Sequence, residues 1–153
     1  MDLSILNDAA AASKAENRSS QFGQKLLQCC SSRRWVTEMV TKFPVRDIEE
    51  LYQAADAADA ALTRDDWLEA FAAHPKATKD ADEDLLDRFE ELNDAYYNKF
   101  GYIYIVCATG KTAPEMLRIL EYRMENGVEE ELAVAAAEQS KITKLRLKKL
   151  IQG

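Results

Sequence analysis

One tract in this chain has the composition of a β-strand, Tyr102-Ile103-Tyr104-Ile105-Val106-Cys107, and no second tract exists to pair with it. An isolated strand leaves its backbone N–H and C=O groups without a ladder, so a sheet is excluded. The tract is therefore expected to be a buried extended connector or an irregular turn. The rest of the chain has to fold as helices, and the apolar residues recur at helical spacing nearly throughout.

Phe22, Leu26, Leu27 and Cys30 form one such stripe, and Trp35, Met39 and Val40 form another, before Phe43-Pro44 interrupts the pattern. Two helices are thus expected before Pro44. A third covers Asp47 to Ala61, with Ile48, Leu51, Tyr52 and Ala55 on one face. Thr63 with Asp66 can cap a fourth, which ends at His74-Pro75. From Asp82 to about Lys99 the stripe is Leu85, Leu86, Phe89, Leu92, Asn93 and Tyr96, and Gly101 stops it. Thr112-Ala113-Pro114-Glu115 is a capping box that opens a helix stopping near Asn126-Gly127, and the last helix runs from about Val128 to Leu150. Five Gly and three Pro leave no linker-like segment in 153 residues. The expected fold is all-α, a compact single-domain bundle of about seven helices spanning residues 1–153.

The net charge of −7 repels nucleic acid and anionic lipid, so neither is an expected partner. No run of apolar residues is long enough to span a bilayer, and the first twenty residues lack a secretion signal, so a cytoplasmic protein is expected. Cys29, Cys30 and Cys107 are then reduced thiols, read as small buried hydrophobes. A zinc site would need all three plus His74 without any C-x-x-C spacing, so no metal is expected. Gly110-Lys111-Thr112 mimics the end of a P-loop, but Ile105 stands where the leading glycine belongs. Asp80, Asp82, Asp84 and Glu91 fall at calcium-loop positions, but Leu85 occupies the turn that needs glycine.

Two residues stand out on inward faces. His74, the only histidine, continues the stripe Trp67, Ala70, Phe71. It is either a core or helix-capping histidine or a functional imidazole. Arg146 falls between Ile142 and Leu150 at i, i+4, i+8, and an inward guanidinium needs an anion, which can be an internal carboxylate or a bound ligand.

Cys29-Cys30-Ser31-Ser32-Arg33-Arg34-Trp35, followed by Trp67-Leu68-Glu69-Ala70-Phe71-Ala72-Ala73-His74-Pro75, resembles the 2-oxo-4-hydroxy-4-carboxy-5-ureidoimidazoline (OHCU) decarboxylase family. Asn93, Tyr96 and Lys99-Phe100-Gly101-Tyr102-Ile103-Tyr104 look like its N-x-x-Y-x-x-[RK]-F-G-[FY]-x-[FY] segment. Arg123-Met124-Glu125-Asn126, Glu131-Leu132 and Lys141-Ile142-Thr143-Lys144-Leu145-Arg146-Leu147 match its C-terminal helices, so the likeness covers nearly the whole chain.

The resemblance implies cofactor-free decarboxylation of OHCU to (S)-allantoin in urate breakdown, by a homodimer. It makes His74 the catalytic acid/base and Pro75, Tyr104, Ile105, Val106, Cys107, Ala108 and Arg146 the substrate-binding residues. The chain departs from the family between His-Pro and Asn-x-x-Tyr. A Ser-x-x-Glu-Gln element, which brings a second carboxylate, has no counterpart in Lys76-Ala77-Thr78-Lys79-Asp80. Glu138-Gln139 lies elsewhere in the family pattern and is not expected to stand in for it. The favoured expectation is a segment between about residues 76 and 80 that the sequence as read omits, because losing that pocket wall would expose His74 and apolar surface. The other reading is a catalytically degenerate helical module that binds a ligand or partner. A fusion to, or partnership with, the preceding hydrolase of the pathway is not expected, since no Tyr-Arg-Gly-Ser signature follows Gly153, and no Ser-Lys-Leu peroxisomal address ends the sequence either.

Overall fold

A computed structural model describes residues 2–15, 21–74 and 83–152. Pro75, the connection Lys76 to Asp80, and Asp82 lie outside the described residues. Eight α-helices and no strand occur among those described: α1 (Leu3–Ala15), α2 (Gln21–Cys29), α3 (Arg33–Val40), α4 (Ile48–Ala60), α5 (Arg64–Ala72), α6 (Glu83–Phe100), α7 (Ala113–Arg123) and α8 (Val128–Gln152). The all-α expectation holds, with one helix more than the seven read from the sequence.

The additional helix is α1. Asp2 caps it by accepting from the Ile5 N–H at 2.9 Å, and Leu6 and Ala10 are its buried residues. Its buried stripe is short among the described side chains and lies within an alanine-rich run, so helix propensity more than amphipathic pattern identifies it. The two expected caps are in place: Thr112 accepts from the Glu115 N–H, and Thr63 and Asp66 cap each other reciprocally. Ser32 and Asp47 add two more, each accepting from the backbone N–H three residues on. Two helices end earlier than read. α5 stops at Ala72, with His74 held in a turn by its N–H to the Phe71 carbonyl at 3.1 Å, and α7 stops at Arg123, followed by a turn through Asn126.

The chain divides into two compact units, residues 1–70 with 140–153, and residues 71–139. In the first, Leu6, Phe22, Leu26, Trp35, Met39, Phe43, Leu51, Ala55 and Leu147 form a contiguous apolar core. Phe22 and Phe43 meet edge to face at 5.1 Å. The Asn7 side chain exchanges two hydrogen bonds with the Val45 backbone, at 2.7 and 2.9 Å, and so satisfies the loop before α4. All three cysteines are buried free thiols, and burial pushes Cys29 and Cys30 up to about 11 and about 12, which keeps them protonated and unreactive.

One expectation in this unit needs correction. The inward face of α8 passes through Thr143 and Leu147, whereas Ile142, Arg146 and Leu150 are half-buried on its flank. One residue along a helix is a rotation of about 100°, so a stripe read one position off places its cation at the rim rather than in the core.

Candidate active site

The second unit carries His74 and the connector. Gly101 ends α6 with a positive φ of 89°, a conformation that costs glycine little, and this turns the chain into residues 102–107. Tyr102, Tyr104, Ile105, Val106 and Cys107 are buried without forming a strand, as the lone tract required. Phe71, Tyr96 and Phe100 pack against the connector's Tyr102 and Tyr104, with the contacting ring centroids 4.6 to 6.4 Å apart.

A backbone without a ladder needs other partners, and here side chains supply them. The Ile105 carbonyl accepts from Arg123 Nη1 at 2.7 Å. The Cys107 N–H donates to Glu138 Oε1 at 3.1 Å, and the Cys107 carbonyl accepts from Lys111 Nζ at 2.9 Å. Tyr104 is enclosed, and its hydroxyl donates to the Met116 carbonyl of α7 at 3.1 Å.

Arg123 is the centre of this arrangement. It is 3% exposed and donates to both oxygens of Glu131, through Nε at 3.1 and 2.8 Å and also through Nη2. Glu131 is fully buried and accepts in addition from the Tyr96 hydroxyl and, at 3.0 Å, from Asn126 Nδ2. The guanidinium lies over the Tyr104 ring at 4.8 Å. Burial alone would lower the Arg123 pKa, but the hydrogen bonds and charge of Glu131 outweigh it and hold the guanidinium above its ordinary value. Tyr96 is raised by burial and by its hydrogen bond to Glu131, and Tyr104 by burial, so both phenols stay neutral.

His74 is half-buried, and its Nε2 meets Gln139 Oε1 of α8 at 2.5 Å. Gln139 is fully buried and Glu138 nearly so. Consecutive residues of one helix therefore hold the imidazole and the backbone of Cys107. This brings together His74 and the connector, both expected at the site. Ala108 follows at the connector's end, with its carbonyl accepting from the Lys111 N–H at 3.0 Å.

Arg146 belongs to the first unit, where Nη1 donates to the carbonyls of Gln28 and Cys29 at 3.3 and 3.4 Å. The anion it meets there is the partial charge at the C-terminus of α2, which neither sequence alternative anticipated. Sequence reasoning missed Arg123, Glu131, Glu138 and Gln139 as constituents of a site on their own chemistry. A signal existed for them, since Met116, Leu120 and Arg123 share one face of α7, and Glu131, Ala135, Glu138 and Gln139 share one face of α8.

The family model described as OHCU decarboxylase matches residues 15–80 and 76–148. The two stretches overlap at residues 76–80, the connection where the Ser-x-x-Glu-Gln element has no counterpart. The chain is 37% identical over 147 residues to the uric acid degradation bifunctional protein TTL of Arabidopsis thaliana, covering 80% of this chain and spanning 45% of that relative's length. A crystal structure of OHCU decarboxylase in the presence of (S)-allantoin is 36% identical with a TM-score of 0.79, covering 84% of this chain and 98% of that one. A crystal structure of (S)-allantoin synthase, at 22% identity and a TM-score of 0.76 over 97% of this chain and 54% of its own, shares the fold. With the family model matching most of the chain and the helical architecture shared with a solved member, the chain belongs to the OHCU decarboxylase family.

Proposed function

We propose that this chain decarboxylates OHCU to (S)-allantoin, with His74 as acid/base. The observation that carries the reading is the His74 imidazole, braced by a buried amide in the same unit as a connector whose backbone is fixed by side chains. The substrate bears a carboxylate on a carbon that also carries a hydroxyl and adjoins an imine. When carbon dioxide leaves, the electron pair of the broken C–C bond passes into the imine, whose nitrogen takes up a proton. The ring is its own electron sink and needs no metal or organic cofactor. His74 positions the hydroxyl and takes its proton as the ring carbonyl forms. Protonation of the neighbouring ring carbon on one face gives the (S) configuration.

Pro75, the backbone from Ile105 to Ala108 and the ring of Tyr104 are the proposed pocket, and Arg146 the proposed ligand of the anionic substrate. The second carboxylate belongs to a further stretch, absent from the sequence as read, at about residues 76 to 80, and an intact mass above 17.3 kDa would reveal it. The protein acts as a homodimer in the cytoplasm. Among the described residues no helix is long and apolar enough to cross a membrane.

The decisive experiment generates OHCU from urate with the two upstream enzymes and follows the circular dichroism of the allantoin formed. Rapid appearance of an (S)-allantoin signal is expected; slow, racemic product matching the enzyme-free control would overturn the proposal. The shortened connection at residues 76–80 favours a second reading, a degenerate binding module, which that negative result would support. His74→Ala is expected to fold normally and lose about 10²- to 10⁴-fold in kcat.

A further inference from the structure

An amide buried as completely as that of Gln139 has to be satisfied, and its oxygen can only accept. It lies 2.5 Å from His74 Nε2, and with that oxygen facing the ring the contact is a hydrogen bond when this imidazole nitrogen carries the proton. The neutral ring then has its lone pair on Nδ1. Gln139 is itself held in place, because the preceding residue, Glu138, accepts from the Cys107 N–H at 3.1 Å and so ties this turn of α8 to the connector. A neutral imidazole in water interchanges its two tautomers, and a base in the wrong tautomer cannot take a proton from the substrate.

We propose that Gln139 is a positioning residue: its side-chain oxygen locks His74 as the Nε2–H tautomer and makes Nδ1 the nitrogen that exchanges protons with the substrate. The catalytic half of this statement rests on the proposed function; the tautomer itself does not.

His74 is the only histidine in the chain, so ¹⁵N-histidine labelling gives a single pair of ring-nitrogen resonances that need no assignment. Above the titration of the ring, the wild-type protein is expected to show a protonated Nε2 and a bare Nδ1. Gln139→Leu should give a mixture of tautomers and lower kcat by about ten- to a hundredfold with KM little changed. Gln139→Glu keeps the accepting oxygen, so it should restore the Nε2–H tautomer and much of kcat. Its charge should also raise the pH at which the ring titrates.

A wild-type ring protonated on Nδ1, or an unaltered tautomer in Gln139→Leu that still folds by far-ultraviolet circular dichroism, would overturn the proposal. So would full kcat in Gln139→Leu while His74→Ala is inactive. If His74→Ala retains full activity, the acid/base role is what fails, and the spectrum of the wild-type ring still decides the tautomer.

Discussion

The two units treat interior charge in opposite ways. Residues 71–139 hold a buried network, in which Arg123, Glu131, Tyr96, Asn126 and the Ile105 carbonyl are joined by hydrogen bonds. The other unit keeps its core apolar and moves its charges to the margin. There Lys144 pairs with Asp56 at 2.7 Å in contact with solvent, Arg146 rests on two carbonyls, and Asp59 is half-buried beside a hydroxyl. The contrast teaches that an arginine on an apolar stripe enters the interior only where a carboxylate is delivered to the same place. Glu131 does this for Arg123, whereas Arg146 has only the end of a helix.

The largest effect should come from breaking that pairing. Glu131→Ala leaves the Arg123 guanidinium buried without its counter-charge, which costs about 3–5 kcal/mol. A urea titration followed by circular dichroism should show the loss as a lower midpoint with a similar slope. Replacing both partners, as Arg123→Met with Glu131→Leu, should cost less than Glu131→Ala alone, because no unpaired charge remains. If the double variant is the less stable, the network holds the connector through more than electrostatic satisfaction, the Ile105 carbonyl being the obvious remainder.

Asp59 provides the matching test in the other unit. Burial raises it from 3.8 to about 6, assisted by the charge of Asp56 and opposed by the Ser140 hydroxyl and by Lys144. The folded state therefore binds this proton more tightly than the unfolded one. Stability falls as pH rises between about 4 and about 6, and the carboxylate is a liability above that window. Asp59→Asn should equal the wild type near pH 4 and exceed it by about 1–2 kcal/mol above pH 6, a figure discounted for the partial exposure of the group. Denaturant titrations of both proteins across pH 4–7 check this, and a difference independent of pH would refute it.

The helices were legible because capping and apolar spacing are local properties. Thr63 with Asp66 and Thr112 with Glu115 cap at three-residue spacing, and each pair could be read without knowing the fold. His74 could be singled out because no second histidine competes for a role. The supports of the site could not be read in this way. Gln139 and Glu138 act on residues 65 and 31 positions away. On α8, whose first turn holds Glu129, Glu130 and Glu131, further polar residues look like a solvated face until the packing of that helix is known. The connector was recognised as unpaired from its composition. What satisfies it became visible only when Arg123 reached Ile105 across 18 residues.

The smallest effect on stability is expected at Arg146, and it bears most directly on that residue's proposed role. Its two hydrogen bonds are long, at 3.3 and 3.4 Å, and its side chain is half-buried, so as support for the end of α2 it contributes about 0.3–1 kcal/mol. Arg146→Leu retains the aliphatic packing while removing the charge, and its urea midpoint should shift correspondingly little. A substrate-binding arginine would add a kinetic consequence that helix support cannot. KM for OHCU should rise at least about tenfold, the loss of about 1.4 kcal/mol of binding, with kcat changed less. Arg146→Lys keeps a cation but not the planar fork and should recover only part of that affinity. If Arg146→Leu lowers stability by the small amount expected and leaves KM unchanged, the residue is a helix cap alone, and the substrate's carboxylate must be met by another cation.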